Sequence, residues 1–160
     1  MPKLDLTRIP ERSGSAYPAP FDEPCRARHF RRLGEVGGLT ALGVTMVRLP
    51  PGAWSSQRHW HAAEDEFLYM IRGELVLVTD AGEEIVRAGD CAAFKAGVRD
   101  GHCLQNRSSE DAEFLAISNR SGEDRGEYPD IDMRFEGDRY AGKGAYLHKD
   151  GTPYPLPGAK

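Results

Sequence analysis

A short segment in the middle of the chain carries two histidines and a carboxylate at close spacing. In residues 51–73, PGAWSSQRHWHAAEDEFLYMIRG, His59 and His61 are one residue apart and Glu66 follows. On one strand, the two imidazoles project from the same face, because side chains alternate along a strand. Two imidazoles and a carboxylate that converge on one point can bind a divalent transition metal. His102, in AGVRDGHCLQN, offers a fourth ligand.

The spacing of these residues resembles the two sequence motifs of the cupin superfamily. The first motif reads G-(X)5-H-X-H-(X)3,4-E-(X)6-G, and the chain keeps its H-X-H-(X)4-E-(X)6-G part, which ends at Gly73. The second motif reads G-(X)5-P-X-G-(X)2-H-(X)3-N. The residues that fit it are Gly89, Gly97, His102 and Asn106. Two linked motifs are a specific signal, and the resemblance covers residues 38–120.

The chain departs from these motifs at three positions. Six residues instead of five separate Gly52 from His59, and four instead of two separate Gly97 from His102. Lys95 stands where the second motif has proline. These departures change loop lengths and a turn, so they bear on loop shape more than on the ligands.

The resemblance implies that His59, His61, Glu66 and His102 are the metal ligands. Three imidazoles and one carboxylate leave open positions on a five- or six-coordinate ion and suit Zn²⁺, Fe²⁺, Mn²⁺, Ni²⁺ or Co²⁺, among which the sequence does not choose. Glu64 and Asp65 lie beside Glu66. We prefer Glu66 because it alone lies at the motif spacing before Gly73.

The hydrophobic pattern predicts an all-β fold. Short segments rich in valine, leucine and aromatic residues alternate with Gly/Asp turns, and no amphipathic helix lies between them. They are LTALGVTMVRLP, DEFLYMIRGELVLVTD, EEIVRAGDCAAFKAG and AEFLAISN. We predict a jelly-roll barrel, the double-stranded β-helix of cupins. Residues 1–35 form an N-terminal arm, residues 36–120 the barrel, and residues 121–160 a C-terminal tail with one short strand that packs on the barrel or a partner subunit.

The arm carries a small basic cluster. Its members are Arg26, Arg28, His29, Arg31 and Arg32. One interpretation is a solvated strand edge. The other is a phosphate-binding or dimer-contact patch, because guanidinium groups bind oxyanions in bidentate fashion.

Composition limits the classes of partner. The formal net charge of −4 gives no reason to expect nucleic acid, and no apolar run approaches the length of a membrane span. The three cysteines are too few and too odd for a disulfide framework, and the first residues lack the apolar core of a signal peptide. We therefore expect a cytoplasmic protein that binds a small molecule. A homodimer is expected from the resemblance.

The reaction is less defined than the site. Candidate catalytic residues are Tyr69, Lys95, Gln57 and Arg48, which are polar groups on or beside the predicted strands. The segments HWHAAEDEF, GHCLQNRS, YPDIDMRF and KDGTPY resemble small bacterial single-domain cupins that carry the label of sugar-phosphate isomerases. The resemblance implies a metal-dependent isomerase or epimerase of a small polar sugar or sugar phosphate. An Fe²⁺-dependent dioxygenase and a non-catalytic small-molecule-binding cupin are the alternatives.

Overall fold

The computed structural model describes residues 3–155. The regular secondary structure in that range consists almost entirely of antiparallel strands. Within residues 3–155 the strands are β1 (Arg12–Ser13), β2 (His29–Arg32), β3 (Leu42–Leu49), β4 (Trp60–His61), β5 (Glu66–Arg72), β6 (Glu74–Thr79), β7 (Gly82–Arg87), β8 (Cys91–Phe94), β9 (Cys103–Gln105), β10 (Ala112–Asn119), β11 (Gly126–Tyr128), β12 (Met133–Glu136) and β13 (Ala145–Leu147). The helical elements there are one α-helical turn, α1 (Leu33–Val36), and 3₁₀ turns at Leu6–Arg8 and Glu23–Cys25.

The strands form three sheets. A six-stranded sheet has the order β1-β2-β3-β10-β5-β8, a three-stranded sheet the order β7-β6-β9, and a four-stranded sheet the order β13-β12-β11-β4. This architecture confirms the predicted all-β jelly roll. The segment predicted as two strands joined at Gly73 forms β5 and β6, and AEFLAISN forms β10.

The main core lies between the six-stranded and the three-stranded sheet. Leu68 and Met70 of β5 pack with Leu75 and Leu77 of β6 and with Leu104 of β9. Each fully buried side chain of this size contributes about 1.5–3 kcal/mol relative to an exposed one. Side chains alternate between the two faces of a strand, so every second residue of β5 points into this core.

A glycine is required at the reversal between β5 and β6. Gly73 has φ of +78°, a conformation that L side chains rarely adopt, and a Cβ there would lie 2.8 Å from Cα of Ala112. The motif glycine thus lets β5 turn sharply against the start of β10.

The N-terminal segment and the C-terminal segment pack on each other in a second core. Tyr17 and Cys25 contact Tyr128, Met133 and Phe135. Where we expected one short strand after residue 120, the structure has three, β11 to β13. They form because aromatic and apolar side chains alternate there with polar ones. The division at residues 35 and 120 remains a prediction, and residues 1–2 and 156–160 of the predicted arm and tail lie outside the described residues.

The four-stranded sheet carries the end of the chain to the histidine strand. Gly126 of β11 pairs with His61 of β4. A Cβ on Gly126 would overlap the carbonyl oxygen of Trp60 and would lie 2.6 Å from the ring of Phe135. Only glycine allows this approach of β11 to β4.

No helix among residues 3–155 has the length and hydrophobicity needed to cross a membrane.

Candidate metal centre

The four predicted ligands lie together. Oε2 of Glu66 is 2.9 Å from Nε2 of His102, 3.4 Å from Nε2 of His61 and 3.9 Å from Nε2 of His59. Ligand atoms of His59, His61 and Glu66 all lie within 4.8 Å of one another. Three nitrogen atoms and one carboxylate therefore converge on one point.

Neighbouring strands position these side chains. His59 and His102 form an antiparallel bridge, in which each backbone N–H donates to the other's carbonyl oxygen, at 3.2 and 2.9 Å. His61 follows on β4, and Glu66 is the first residue of β5. The motif residue Gly97 donates its N–H to the carbonyl oxygen of His61 at 2.8 Å. The two sequence motifs thus meet through backbone hydrogen bonds.

Hydrogen bonds to the outer ring nitrogens orient two imidazoles. Nδ1 of His61 lies 2.6 Å from Oδ2 of Asp124, and Nδ1 of His59 lies 2.9 Å from the carbonyl oxygen of Gln57. Each acceptor keeps a proton on Nδ1, so the lone pair of Nε2 points toward Glu66. Nε2 of His61 is buried and has no hydrogen-bond partner among the described residues. An orphaned buried nitrogen of this kind fits a metal ligand.

The protonation states suit the same role. Burial, followed by the charges of His61 and His102, lowers the pKa of His59 to about 3. Burial alone would raise the pKa of Glu66, but the hydrogen bond with His102 and the neighbouring imidazoles outweigh it and lower that pKa below its usual range. His59 is therefore neutral and Glu66 ionised at neutral pH, as metal binding requires.

The ligand set lies where two openings meet. His59, His61, Glu66 and His102 line a cavity of about 980 Å³. A smaller pocket of about 200 Å³ reaches His61, Glu66 and His102 from the side of Lys95. A small molecule can thus approach the four side chains through the wide cavity.

Comparison with known proteins decides the family. The Cupin domain family matches residues 45–118. The crystal structure of a sugar phosphate isomerase from a cupin superfamily, from Silicibacter pomeroyi, is 45% identical, with a TM-score of 0.91 over 96% of this chain and 97% of that one. The chain belongs to the cupin superfamily.

Two further relatives place this cupin more broadly. A structure from Acidithiobacillus ferrooxidans has the same fold, with a TM-score of 0.71 at 23% identity over 80% of each chain. The oxalate-binding protein of Thermotoga maritima is 34% identical over 71 residues, which is 44% of this chain. The cupin thus spans 56% of the length of that curated relative.

Sequence reasoning missed a polar network beside His61, in which the buried carboxylates of Glu64 and Asp124 meet the more exposed Arg139. Nη2 of Arg139 donates to Oε2 of Glu64 at 2.8 Å and to Oδ2 of Asp124 at 3.0 Å. The hydroxyl of Tyr140 also donates to Glu64, at 3.0 Å, and burial raises the pKa of Tyr140 to about 12. Glu64, in the loop between β4 and β5, is only 2% exposed.

The four candidate catalytic residues do not come together. Tyr69 is 44% exposed on the outer face of β5, and Arg48 pairs with Glu11 on the outside of β3. Both lie away from the cavity because their strand neighbours of opposite parity fill the core. Gln57 is buried and donates to the carbonyl oxygen of Phe21. Lys95 lines the small pocket beside the ligands.

Proposed function

We propose that this cupin is a metal-dependent isomerase of a small sugar phosphate. The observation that carries the proposal is the convergence of three imidazole Nε2 atoms on the carboxylate of Glu66 in the wall of a large cavity. The domain family and the Silicibacter pomeroyi relative, described as a sugar phosphate isomerase, support it.

The proposed ligands are His59, His61, Glu66 and His102. Zn²⁺, Fe²⁺, Mn²⁺, Ni²⁺ and Co²⁺ all suit this donor set. When bound, a divalent ion supplies Lewis-acid polarisation of a substrate carbonyl and stabilises negative charge that develops on its oxygen. The chain contributes fixed imidazole tautomers through Asp124 and the carbonyl of Gln57, so that the nitrogen lone pairs are already oriented.

Isomerisation of an aldose to a ketose moves one proton from C2 to C1 and another from the C2 oxygen to the C1 oxygen, so the site also needs groups that carry protons. Among the four candidates, Lys95 lines a pocket with Glu66 and His102. We assign it to hydrogen bonding or protonation of a substrate oxygen. Lys95→Met is expected to lower kcat by about 10²-fold or more while metal content stays unchanged, and Lys143→Met serves as the matched control.

A direct test follows proton exchange. The metal-loaded cupin is incubated in D₂O with D-glucose 6-phosphate, D-mannose 6-phosphate, D-ribose 5-phosphate and D-arabinose 5-phosphate, and exchange at C2 is followed by NMR. The proposal predicts exchange and ketose formation for at least one of them, and loss of both with Glu66→Ala. Absence of exchange for every member of this panel would contradict it.

A second candidate function is small-molecule binding without turnover. The similarity to the Thermotoga maritima oxalate-binding protein favours it. Saturable oxalate binding to the metal-loaded cupin, together with no turnover of the sugar phosphates, would select this alternative. Oxygen consumption by the iron-loaded protein tests the dioxygenase that the sequence also allowed.

A further inference from the structure

Four arginines line the large cavity, and three of them face carboxylates. Arg139 binds the buried carboxylate of Glu64 at 2.8 Å. Arg32 binds Glu35 at 2.8 Å, and Arg120 lies 3.9 Å from the same carboxylate. The charges of these three guanidinium groups are therefore compensated within the chain.

The fourth arginine, Arg28, has no acidic partner within 4 Å among residues 3–155. Its Nε donates to the carbonyl oxygen of Gly14 at 3.0 Å, and its Nη1 donates to the carbonyl oxygen of Ser55. Neutral acceptors thus fix the guanidinium without cancelling its charge. Its Nη2 makes no hydrogen bond to the described residues. Arg28 is therefore a half-buried cation on the cavity wall. Two backbone carbonyls fix its position, and its Nη2 can donate a hydrogen bond to a bound molecule.

Strand geometry explains why Arg28 faces the cavity when His29 and Arg31 do not. Phe30 of β2 lines the cavity, with Arg28 before it at the same parity, and the guanidinium of Arg28 lies 5.7 Å from the Phe30 ring. His29 and Arg31 have the opposite parity and both lie 3.3 Å from Glu11. The basic cluster seen in the sequence is thus divided between two faces.

Three tyrosines line the same cavity as Arg28. The ring of Tyr17 is 5.5 Å from that of Tyr128 and 5.4 Å from that of Tyr146, and all three line the cavity. Burial raises the pKa of each phenol, so each is a protonated donor. Arg28 lines the same cavity as Tyr17 and Tyr146, and its positive charge opposes this rise in pKa at both phenols.

The same aromatic group leads to the histidine site. The ring of Tyr128 lies 5.7 Å from the ring of His59. Arg28, Tyr17 and Tyr128 therefore line the same cavity as the four proposed metal ligands.

We propose that Arg28, with the hydroxyls of Tyr17 and Tyr146, binds the phosphate group of the substrate while its sugar end lies at His59, His61, Glu66 and His102. Arginine binds phosphate oxygens with directed, charge-assisted hydrogen bonds, and neutral phenols add donors without repulsion. This inference rests on the proposed function for the sugar end, but the anion site itself depends only on the wall described above.

Calorimetric titration with D-ribose 5-phosphate and with D-ribose tests the assignment. The metal-loaded wild type is expected to prefer the phosphorylated sugar. Arg28→Met should lower the affinity for D-ribose 5-phosphate by about tenfold or more and leave D-ribose binding unchanged. Arg26→Met is the matched control, because Arg26 lies two residues away, is exposed and pairs with Asp22.

Two additional variants guard against a folding defect, since Arg28 also holds two backbone carbonyls. Arg28→Lys keeps the positive charge but loses the paired N–H donors of the guanidinium group, and Tyr17→Phe removes one hydroxyl. Each variant should bind D-ribose 5-phosphate more weakly, while its melting temperature stays near that of wild type. The inference would be overturned if folded Arg28 variants kept the preference for D-ribose 5-phosphate. It would also be overturned if these variants changed the affinity for oxalate but not for D-ribose 5-phosphate. Loss of that preference without any sugar turnover would instead support the phosphate site and contradict the isomerase.

Discussion

The carboxylate of Asp124 lies 2.6 Å from Nδ1 of His61, although the two residues are 63 positions apart in the chain. Asp124 is 1% exposed, and its second oxygen accepts the backbone N–H of Ala63 at 3.0 Å. Because a carboxylate at Nδ1 keeps Nε2 free and makes it more basic, Asp124 prepares His61 to bind a metal.

Asp124→Asn should therefore weaken metal binding without unfolding the protein. We expect a 10–100-fold loss of affinity, since an amide no longer fixes the tautomer of His61. Competition with a chromophoric chelator measures it. The matched control is Asp132→Asn, which alters a similar pair with His148 at 2.8 Å on the exposed surface. Equal affinities of wild type and Asp124→Asn would show that Asp124 has no such role.

The close approach of β11 to β4 should be intolerant of any side chain. Gly126→Ala would place a Cβ against the carbonyl of Trp60 and 2.6 Å from the Phe135 ring. We expect a loss of about 3 kcal/mol in the free energy of unfolding, measured by chemical denaturation. Gly122→Ala is the control, because its new Cβ would meet only the side chain of Asp138. Comparable stability of both variants would argue against the tight strand contact.

An ion pair ties the segment before β12 to the histidine strand. Nη2 of Arg58 lies 2.6 Å from Oδ1 of Asp130, and this hydrogen bond lowers the pKa of Asp130. A carboxyl whose pKa is lowered by folding stabilises the protein above its unfolded pKa, and the contribution disappears as the pH falls through the folded value. Asp130→Asn should thus cost up to about 1 kcal/mol at neutral pH, because Asp130 is largely exposed.

Denaturation of wild type and Asp130→Asn at several pH values tests this sign. The difference between the two should shrink as the pH falls below the ordinary pKa of an aspartate and through its lowered value in the folded protein. Glu123→Gln, at an exposed position outside the pair, should show no such pH dependence. A difference that grows on acidification would contradict the assignment.

The predicted homodimer has a suitable surface on the outer face of the six-stranded sheet. Phe67, Tyr69 and Ile71 of β5 are 40%, 44% and 40% exposed, and Leu115 of β10 pairs beside Tyr69. Contiguous exposed apolar residues of this kind are typical of interfaces. Sedimentation should show a dimer for wild type, a monomer for Tyr69→Glu, and a dimer for the control Ile85→Glu on β7. A monomeric wild type would remove the prediction.

The convergence of the four predicted ligands was foreseeable because their spacing is local. His59 lies just before β4, His61 lies on β4 and Glu66 begins β5. His102 lies just before β9 and forms a bridge with His59. The alternation of side chains along a strand could also have predicted the position of Tyr69. In EFLYMIR it alternates with the buried Leu68 and Met70, and therefore faces away from the core.

The partners of these ligands could not be found in the same way. Asp124, Arg139 and Tyr140 reach the site from the end of the chain, where the sequence shows turns and mixed polarity. Several carboxylates in that part of the sequence have similar neighbours, so none of them is marked as a partner of His61. The pairing of β11 with β4 is what brings Asp124 to His61. Long-range pairing of this kind leaves no signature in one sequence.

The central claim, that His59, His61, Glu66 and His102 hold one metal ion, is tested most directly by elemental analysis. Wild type, His61→Ala and Glu66→Ala are purified untagged, reconstituted, dialysed and measured by inductively coupled plasma mass spectrometry, with His148→Ala as control. We expect about one equivalent of a divalent transition metal in wild type and control and the loss of most of it in both site variants. Full metal content in both folded site variants, or none in reconstituted wild type, would contradict it.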